Sequence, residues 1–352
     1  MKTLRLTVLP EELATPASVA ALETAADLLR RGGLVALPTE TVYGLGANAL
    51  DSAAVERIYR AKQRPTWDPI IVHVSSMEML EPLVEEIPER ARRLMEAYWP
   101  GPLTLLLRRT AAIPDVVTAG RPLMGVRMPS HPVALELIRR AGVPVAAPSA
   151  NLFAHTSPTT AQHVLEDLDG RIDAVVDSGA SRHGVESTVL DPSQEPMVIY
   201  RPGAVTLEQV RATAGPVEMH ISAPTTETPR EALPSPGVGL RHYAPKARLL
   251  LVEVTSSTIA ERLAETAREQ SEDRLGVLLP TGVVAPAGTE AVWDWGHWEN
   301  PVELAAQLYA GLRALDAAGC TTILCPRPEA GGIGAALLDR LQKAATPRAK
   351  PE

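Results

Sequence analysis

The stretch RRGGLVALPTETVYGLG, residues 30–46, sets the reading of the N-terminal half of the chain. Upstream of it, SVAALETAADLLRRGG (18–33) places Val19, Leu22 and Leu29 at helical spacing and closes on Arg-Arg-Gly-Gly, a stop signal for a helix. LVALP then reads as a short buried strand, and the segment after it, PTETVYGLG (38–46), turns polar. Helix, buried strand and polar loop make one unit of an α/β protein, and the chain goes on to repeat it. DSAAVERIYRAK (51–62) is the next helix, capped by Asp51 or Ser52, and PIIVHV (69–74) the next strand. Further strands are expected at 103–108, 125–129, 143–148, 173–177, 187–191 and 197–201, and helices around 89–98, 131–141, 160–168 and 206–214. Alternation early and consecutive strands later predict a twisted, mixed, open sheet covered by helices.

Between 216 and 246 the periodicity disappears. SAPTTETPREALPSPGVGLRHYAP is rich in Pro, Thr and Gly and reads as a linker. A second βα pattern follows: RLLLVEV, a helix over 257–270, LGVLLP, a helix over 301–318, TTILCP and a helix over 333–345 predict a small doubly wound, Rossmann-like domain. The expected organisation is therefore 1–215, a linker at 216–246, and 247–352. The turn after the first strand of the small domain, VEVTSST, has no glycine, so the dinucleotide fingerprint is missing. GGIGAA (331–336) imitates one but sits late in the domain, where it reads as a tight turn opening the last helix. WDWGHW (293–298) reads as a loop whose three tryptophans cover the domain.

Composition narrows the function. The chain has 352 residues, 45% hydrophobic and 22% charged, with aromatics at only 3%, so its cores are built from Val, Leu, Ile and Ala. A formal net charge of −8 argues against a surface that coats nucleic acid, although it permits a local basic pocket. No apolar run approaches the roughly 20 residues of a membrane span, and the N-terminus lacks the apolar region of a signal peptide, so a cytosolic protein is expected. Cys320 and Cys325 are five residues apart, about 16 Å along a strand and on opposite faces, too far for a disulfide with each other. The eight histidines are dispersed without metal-ligand spacing.

No Walker A loop, GxSxG elbow or kinase signature occurs. Four polar clusters do, each expected at a strand end, where open α/β sheets bind ligands. They are PTETVYGLG (38–46), AKQRPTWDPIIVH (61–73), PSANLFAHTSPT (148–159) and HGVESTVL (183–190). Singly, each is explained by turns and caps. Together with Lys62, Arg64, Arg127 and Arg201, they suit an anionic ligand carrying phosphates and a carboxylate.

These segments, with WPGPLTLLL, VRMPSHP and YRPGA, run in order with compatible spacing over residues 16–210, and they resemble the YrdC-type threonylcarbamoyl-AMP synthases. SPGVGLRHYAP and the small domain behind it are similar to the long, two-domain form of that family. The resemblance implies an N-terminal YrdC-like fold and a reaction. L-threonine, bicarbonate and ATP give L-threonylcarbamoyl-AMP and pyrophosphate, for later modification of a tRNA adenosine beside the anticodon. Downstream threonylcarbamoyl-transferase proteins and tRNA are then indirect partners, and Mg²⁺ is expected to arrive with ATP rather than in a dedicated protein site. By the same resemblance, Lys62 and Arg64 form the catalytic Lys-x-Arg pair. Lys62, Ser149, Asn151, Ser157 and Arg201 contact ATP or the adenylate, and Thr39, His73, Arg127 and Ser187 surround threonine. His242 and Tyr243 are expected to close over the pocket as a lid when ligands bind, the alternative being that Tyr243 seals the small domain's core.

Simpler readings stand beside these. His73 also suits a core histidine, Arg127 a structural ion pair and Asn151 an Asx turn. Glu40 and Glu186 have the chemistry of general bases, but turn-capping explains them equally and neither joins the catalytic set. The rival function is a non-catalytic RNA-binding module of YrdC-like fold, which would not need Thr39, Arg127 and Ser187. A third, carbamoyl transfer to a protein as in hydrogenase maturation, would bring acylphosphatase and zinc-finger segments that this chain lacks.

Overall fold

A computed structural model describes residues 2–220, 235 and 243–346. The chain forms two compact units. Met1–Phe153, Ser157–Arg182 and Glu186–Gly239 make the first; Leu240–Glu352 makes the second, together with two tripeptides from the N-terminal half, Ala154–Thr156 and His183–Val185.

The strands of the first unit are β1 (Leu4–Thr7), β2 (Val35–Leu37), β3 (Gly44–Asn48), β4 (Val72–His73), β5 (Leu103–Arg108), β6 (Leu123–Arg127), β7 (Val145–Ala146), β8 (Ala174–Asp177), β9 (Thr188–Asp191), β10 (Met197–Arg201) and β11 (Val217–Met219). They form one mixed sheet in the order β1-β8-β2-β3-β7-β4-β6-β5-β9-β10-β11. Both faces are buried. Leu34 and Ala36 belong to one core cluster while Val35 and Leu37 belong to the other, the two-residue alternation of a strand covered on both sides. Helix α1 (Pro16–Arg30) is capped by Thr15, whose hydroxyl accepts the Ser18 amide, and has Pro16 in its first turn, where a missing N–H costs nothing. Helix α2 (Ser52–Lys62) is capped by Asp51 and ends at Gln63, which takes the left-handed conformation at φ 54°.

The expected α/β organisation with a mixed sheet is present. Three strands of the first unit, β1, β3 and β11, have no counterpart in the sequence reading. β3 reads GLGAN, without β-branched or aromatic residues, and pairs antiparallel to β2 because of its neighbours. A Cβ at Gly46 would sit 2.8 Å from Val145 Cγ1 and 2.9 Å from Leu37 Cδ2, so glycine lets the flanking strands close over it.

The second unit holds a parallel sheet of β12 (Arg248–Val252), β13 (Leu275–Pro280), β14 (Thr289–Gly296) and β15 (Thr322–Pro326), in the order β12-β15-β13-β14. Helices Ile259–Glu269, Pro301–Ala317 and Gly334–Ala345 flank it. The tryptophan segment corrects the sequence reading: Trp293 and Trp295 lie in β14, not in a loop. Trp295 is fully buried and donates its Nε1–H to the Leu304 carbonyl at 2.8 Å. GGIGAA opens the last helix, where a Cβ on Gly334 would meet the Glu329 carbonyl oxygen at 2.2 Å. Cys320 and Cys325 are both buried and free. Among the described residues, no helix is long and apolar enough to cross a membrane.

Candidate active site

Strand directions decide where the polar clusters meet. β4 and β6 run parallel to each other and antiparallel to β7, with His73 opposite both Arg127 and Val145. His73 and Arg127 therefore end their strands level with the start of β7, on the opposite side of the sheet from the loop that leaves β7 at 147–151. The strand ends that carry the polar clusters therefore do not all lie at one edge of the sheet. The two sides are joined because the loop after β2 turns back. Thr39 Oγ1 donates to the Val42 carbonyl at 2.6 Å, accepts the amides of Thr41 and Val42, and lies 2.8 Å from Thr41 Oγ1. That closed knot presents Thr41 and Glu40 to Arg127, whose Nη1 donates to Thr41 Oγ1 at 3.1 Å and Nη2 to Glu40 Oε2 at 3.4 Å. Burial lowers the Arg127 pKa, but a guanidinium starts so far above neutrality that it keeps its charge.

Lys62 closes α2 and is buried. Its Nζ donates to the carbonyls of Ser149 and Asn151, both at 2.5 Å, so the lysine pins the hydroxyl-rich loop through its backbone. An ammonium has three N–H groups, and these bonds use two of them. Burial pushes the Lys62 pKa well below the usual lysine range, with the charge of Arg64 adding to it. A phosphate arriving beside it favours the charged form. Arg64 holds the following loop: Nε donates to the Asp68 carbonyl at 3.1 Å, Nη2 to the Pro69 carbonyl at 2.8 Å, and Nη2 pairs with Asp68 Oδ1 at 2.8 Å. Burial raises the Asp68 pKa, against the pull of Arg64, Lys62 and Arg201.

Ser187 and Arg201 form the third group. Arg201 Nε donates to the Ser187 carbonyl and Nη2 to Ser187 Oγ, each at 3.0 Å, while Ser187 Oγ lies 2.8 Å from Thr104 Oγ1. Gly203 makes this approach possible: a Cβ there would fall 2.2 Å from the Thr188 nitrogen and 2.6 Å from the Glu186 carbonyl oxygen. Ser157 Oγ donates to Glu186 Oε1 at 2.6 Å. Burial holds the His73 imidazole well below its ordinary pKa, and Arg127 adds to the effect, so the ring is neutral.

The predicted nucleotide-side and threonine-side residues thus fall in one unit, as contact groups coupled by charge: Arg201 acts on both Arg127 and Asp68. The half-buried Ser149 contributes its carbonyl to Lys62, and Asn151 Nδ2 donates to the Leu152 carbonyl at 2.7 Å. Thr41, Asp68 and Thr104 were missed by sequence reasoning, since a lone Thr or Asp carries no signal until its partner is known. His242 lies outside the described residues. Tyr243 belongs to the second unit, stacked on Tyr309 at 5.8 Å between centroids and with the Arg340 guanidinium 5.1 Å from its ring.

Lys62, Arg64, Arg127 and Arg201 with the carboxylates Glu40, Asp68 and Glu186 make a cradle of buried charge. Such charges are tolerated only when paired or when a ligand completes them. Fold and site define an α/β protein whose fixed cations and carbonyl-anchored loops suit a polyanion. Comparison with known proteins places it further. The Sua5/YciO/YrdC family model, described as "Telomere recombination", matches residues 27–203, and the model for the threonylcarbamoyl-AMP synthase C-terminal domain matches 205–346. The chain is 41% identical to the threonylcarbamoyl-AMP synthase of Pyrococcus abyssi over 92% of its length and 93% of the relative's. It is 43% identical to that of Bacillus subtilis over 91% and 92%. The crystal structure of P. abyssi Sua5 complexed with L-threonine superposes with a TM-score of 0.87 at 40% identity, covering 98% of each chain. The chain belongs to the Sua5/YciO/YrdC family, in its two-domain form.

Proposed function

We propose that this protein is an ATP-dependent nucleotidyltransferase that makes L-threonylcarbamoyl-AMP from L-threonine, bicarbonate and ATP, releasing pyrophosphate. The product supplies threonylcarbamoylation of a tRNA adenosine beside the anticodon, in the cytoplasm, through downstream transferase proteins. The observation that carries the reading is the meeting of Arg127–Thr41–Glu40 and Arg201–Ser187 with the Lys62-anchored loop in one unit of a chain that matches threonylcarbamoyl-AMP synthases over nine-tenths of its length.

The chemistry suits these residues. Threonine's amine and bicarbonate give a carbamate and water; a carbamate oxygen then attacks the α-phosphorus of ATP and pyrophosphate leaves. No enzyme nucleophile is required. What is required is alignment of the two reactants and fixed positive charge where the phosphoryl oxygens and leaving group develop theirs. Lys62 and Arg201 supply that charge on the nucleotide side, with the Ser149–Asn151 loop and Ser157 completing the cradle; Arg64 orders the loop beside them. Thr39, His73, Arg127 and Ser187 hold threonine, Arg127 by its carboxylate. Mg²⁺ accompanies the ATP phosphates.

Pyrophosphate release is the test. It is expected only when threonine and bicarbonate are both present. Serine is a poorer substrate, since a missing methyl contact costs about 1–3 kcal/mol in a fitted pocket. Release without an amino acid would identify a nucleotide hydrolase, and RNA binding without any release the non-catalytic alternative.

A further inference from the structure

The buried pair of Glu40 and Arg127 is incompletely used on both sides. A guanidinium and a carboxylate that exist to neutralise each other meet fork to fork, with both oxygens engaged and bonds of about 2.8 Å. Here one contact of 3.4 Å joins them, although their side chains are only 6% and 3% exposed. Glu40 Oε1 and Arg127 Nε are both buried and have no hydrogen-bond partner among the described residues. Each is a costly vacancy for a charged group. The two are complementary: Oε1 needs a donor, preferably cationic, and Nε–H needs an acceptor, preferably anionic. An α-amino acid zwitterion carries both on a single carbon.

We propose that Glu40 is a catalytic residue that holds the ammonium of the amino-acid substrate at Oε1 and takes its first proton, while Arg127 Nε–H serves the carboxylate. This rests on the function proposed above and names the base that it leaves open. The charged and titratable groups around Glu40 are Arg127 on β6, His131 just beyond it, and, through Arg127, His73 on β4 and Arg201 on β10. Both arginines can only donate and the two neutral imidazoles offer one uncharged acceptor nitrogen each, so Glu40 is the one anionic acceptor in this group and the one that matches an ammonium in charge. In the step, Glu40 removes one proton from the ammonium. The freed amine nitrogen bonds to the bicarbonate carbon, the C–OH bond breaks, and the departing hydroxide takes a second proton from nitrogen and leaves as water. The sum is carbamate, water and protonated Glu40, which returns its proton to solvent after the turnover.

Glu40→Gln keeps the shape and the contact to Arg127 but cannot take the proton. At neutral pH its threonine-dependent pyrophosphate release is expected to fall by about 10²-fold or more. The loss should shrink as pH rises and the amine deprotonates unaided, whereas the wild type stays level over that range. By calorimetry, the variant should bind L-threonine about ten- to a hundred-fold more weakly while its affinity for N-acetyl-L-threonine, which has no ammonium, is unchanged. Unaltered turnover, a loss of the same size at every pH, or unaltered threonine affinity each overturns the proposal. If the variant does not fold, a wild type that binds both compounds equally overturns it as well. Failure of the wild type to release pyrophosphate with threonine and bicarbonate would instead sink the underlying function, and the binding comparison would still decide whether Glu40 holds an ammonium.

Discussion

The two units bury charge differently. The first buries Glu40, Lys62, Asp68, Arg127, Glu186 and Arg201 with little exposure, several bonded to backbone carbonyls or to one another at a single point. The second, among its described residues, buries Arg340, which pairs with Asp339 and covers a tyrosine ring; Lys343 joins the same Asp339 half-buried, and pairs such as Arg248–Asp273 and Arg262–Glu265 are more exposed. A fold has no need of the first arrangement, since apolar residues of similar volume are as stable or more so. Several buried charges collected in one unit are what a site for an ionic ligand requires.

Substitutions can break that contrast. The largest effect is expected at Lys62. Lys62→Met fills the space without a charge and should reduce pyrophosphate release by about 10²-fold or more, measured against a circular dichroism spectrum that shows the variant folded. Retained turnover would reduce the lysine to a loop anchor. Gly203→Ala comes next, because three backbone atoms of 186–188 lie within 2.6 Å of the added carbon. We expect a loss on the order of 3 kcal/mol in urea unfolding, with activity falling alongside as Ser187 shifts.

Arg64→Lys should lower turnover about tenfold, since an ammonium cannot span the two carbonyls and the carboxylate that the fork reaches. Trp295→Phe probes the other unit: losing ring volume and the bond to Leu304 should cost about 1–3 kcal/mol of stability. Turnover per folded molecule should stay the same, and its loss would give the second unit a part in the chemistry.

The smallest effect is in pH. His73 and His131 are both held neutral by burial, below the ordinary histidine pKa of 6.5. Below that value the unfolded chain takes up protons that the folded one refuses, so stability is lost as pH falls from about 6.5 and is unaffected by these groups above it. Thermal melts from neutral to mildly acid pH should show the decline, and His73→Gln should flatten it.

Much of this was readable along the chain. Alternating apolar runs and caps marked most helices and the interior strands, because burial on both faces leaves a continuous Val/Leu/Ile signal. β3 was not readable: GLGAN has no strand propensity and is extended only because β2 and β7 flank it. β14 was read as a loop because its tryptophans suggested a surface cover, whereas Trp295 packs inward.

The site divides in the same way. Sequence by itself named the candidates: Lys62, Arg64, Ser149, Asn151, Ser157 and Arg201 for a nucleotide, and Thr39, His73, Arg127 and Ser187 for an amino acid, set in the order and spacing of a family. It could not determine who meets whom. That Arg127 reaches Thr41 and Glu40, that Ser187 bridges Thr104 and Arg201, and that Lys62 holds carbonyls rather than side chains follow from strand directions and a loop folding back on itself. These contacts join residues 14 to 89 positions apart. Local propensity carries no information over such separations; only the packing of the sheet brings the partners together.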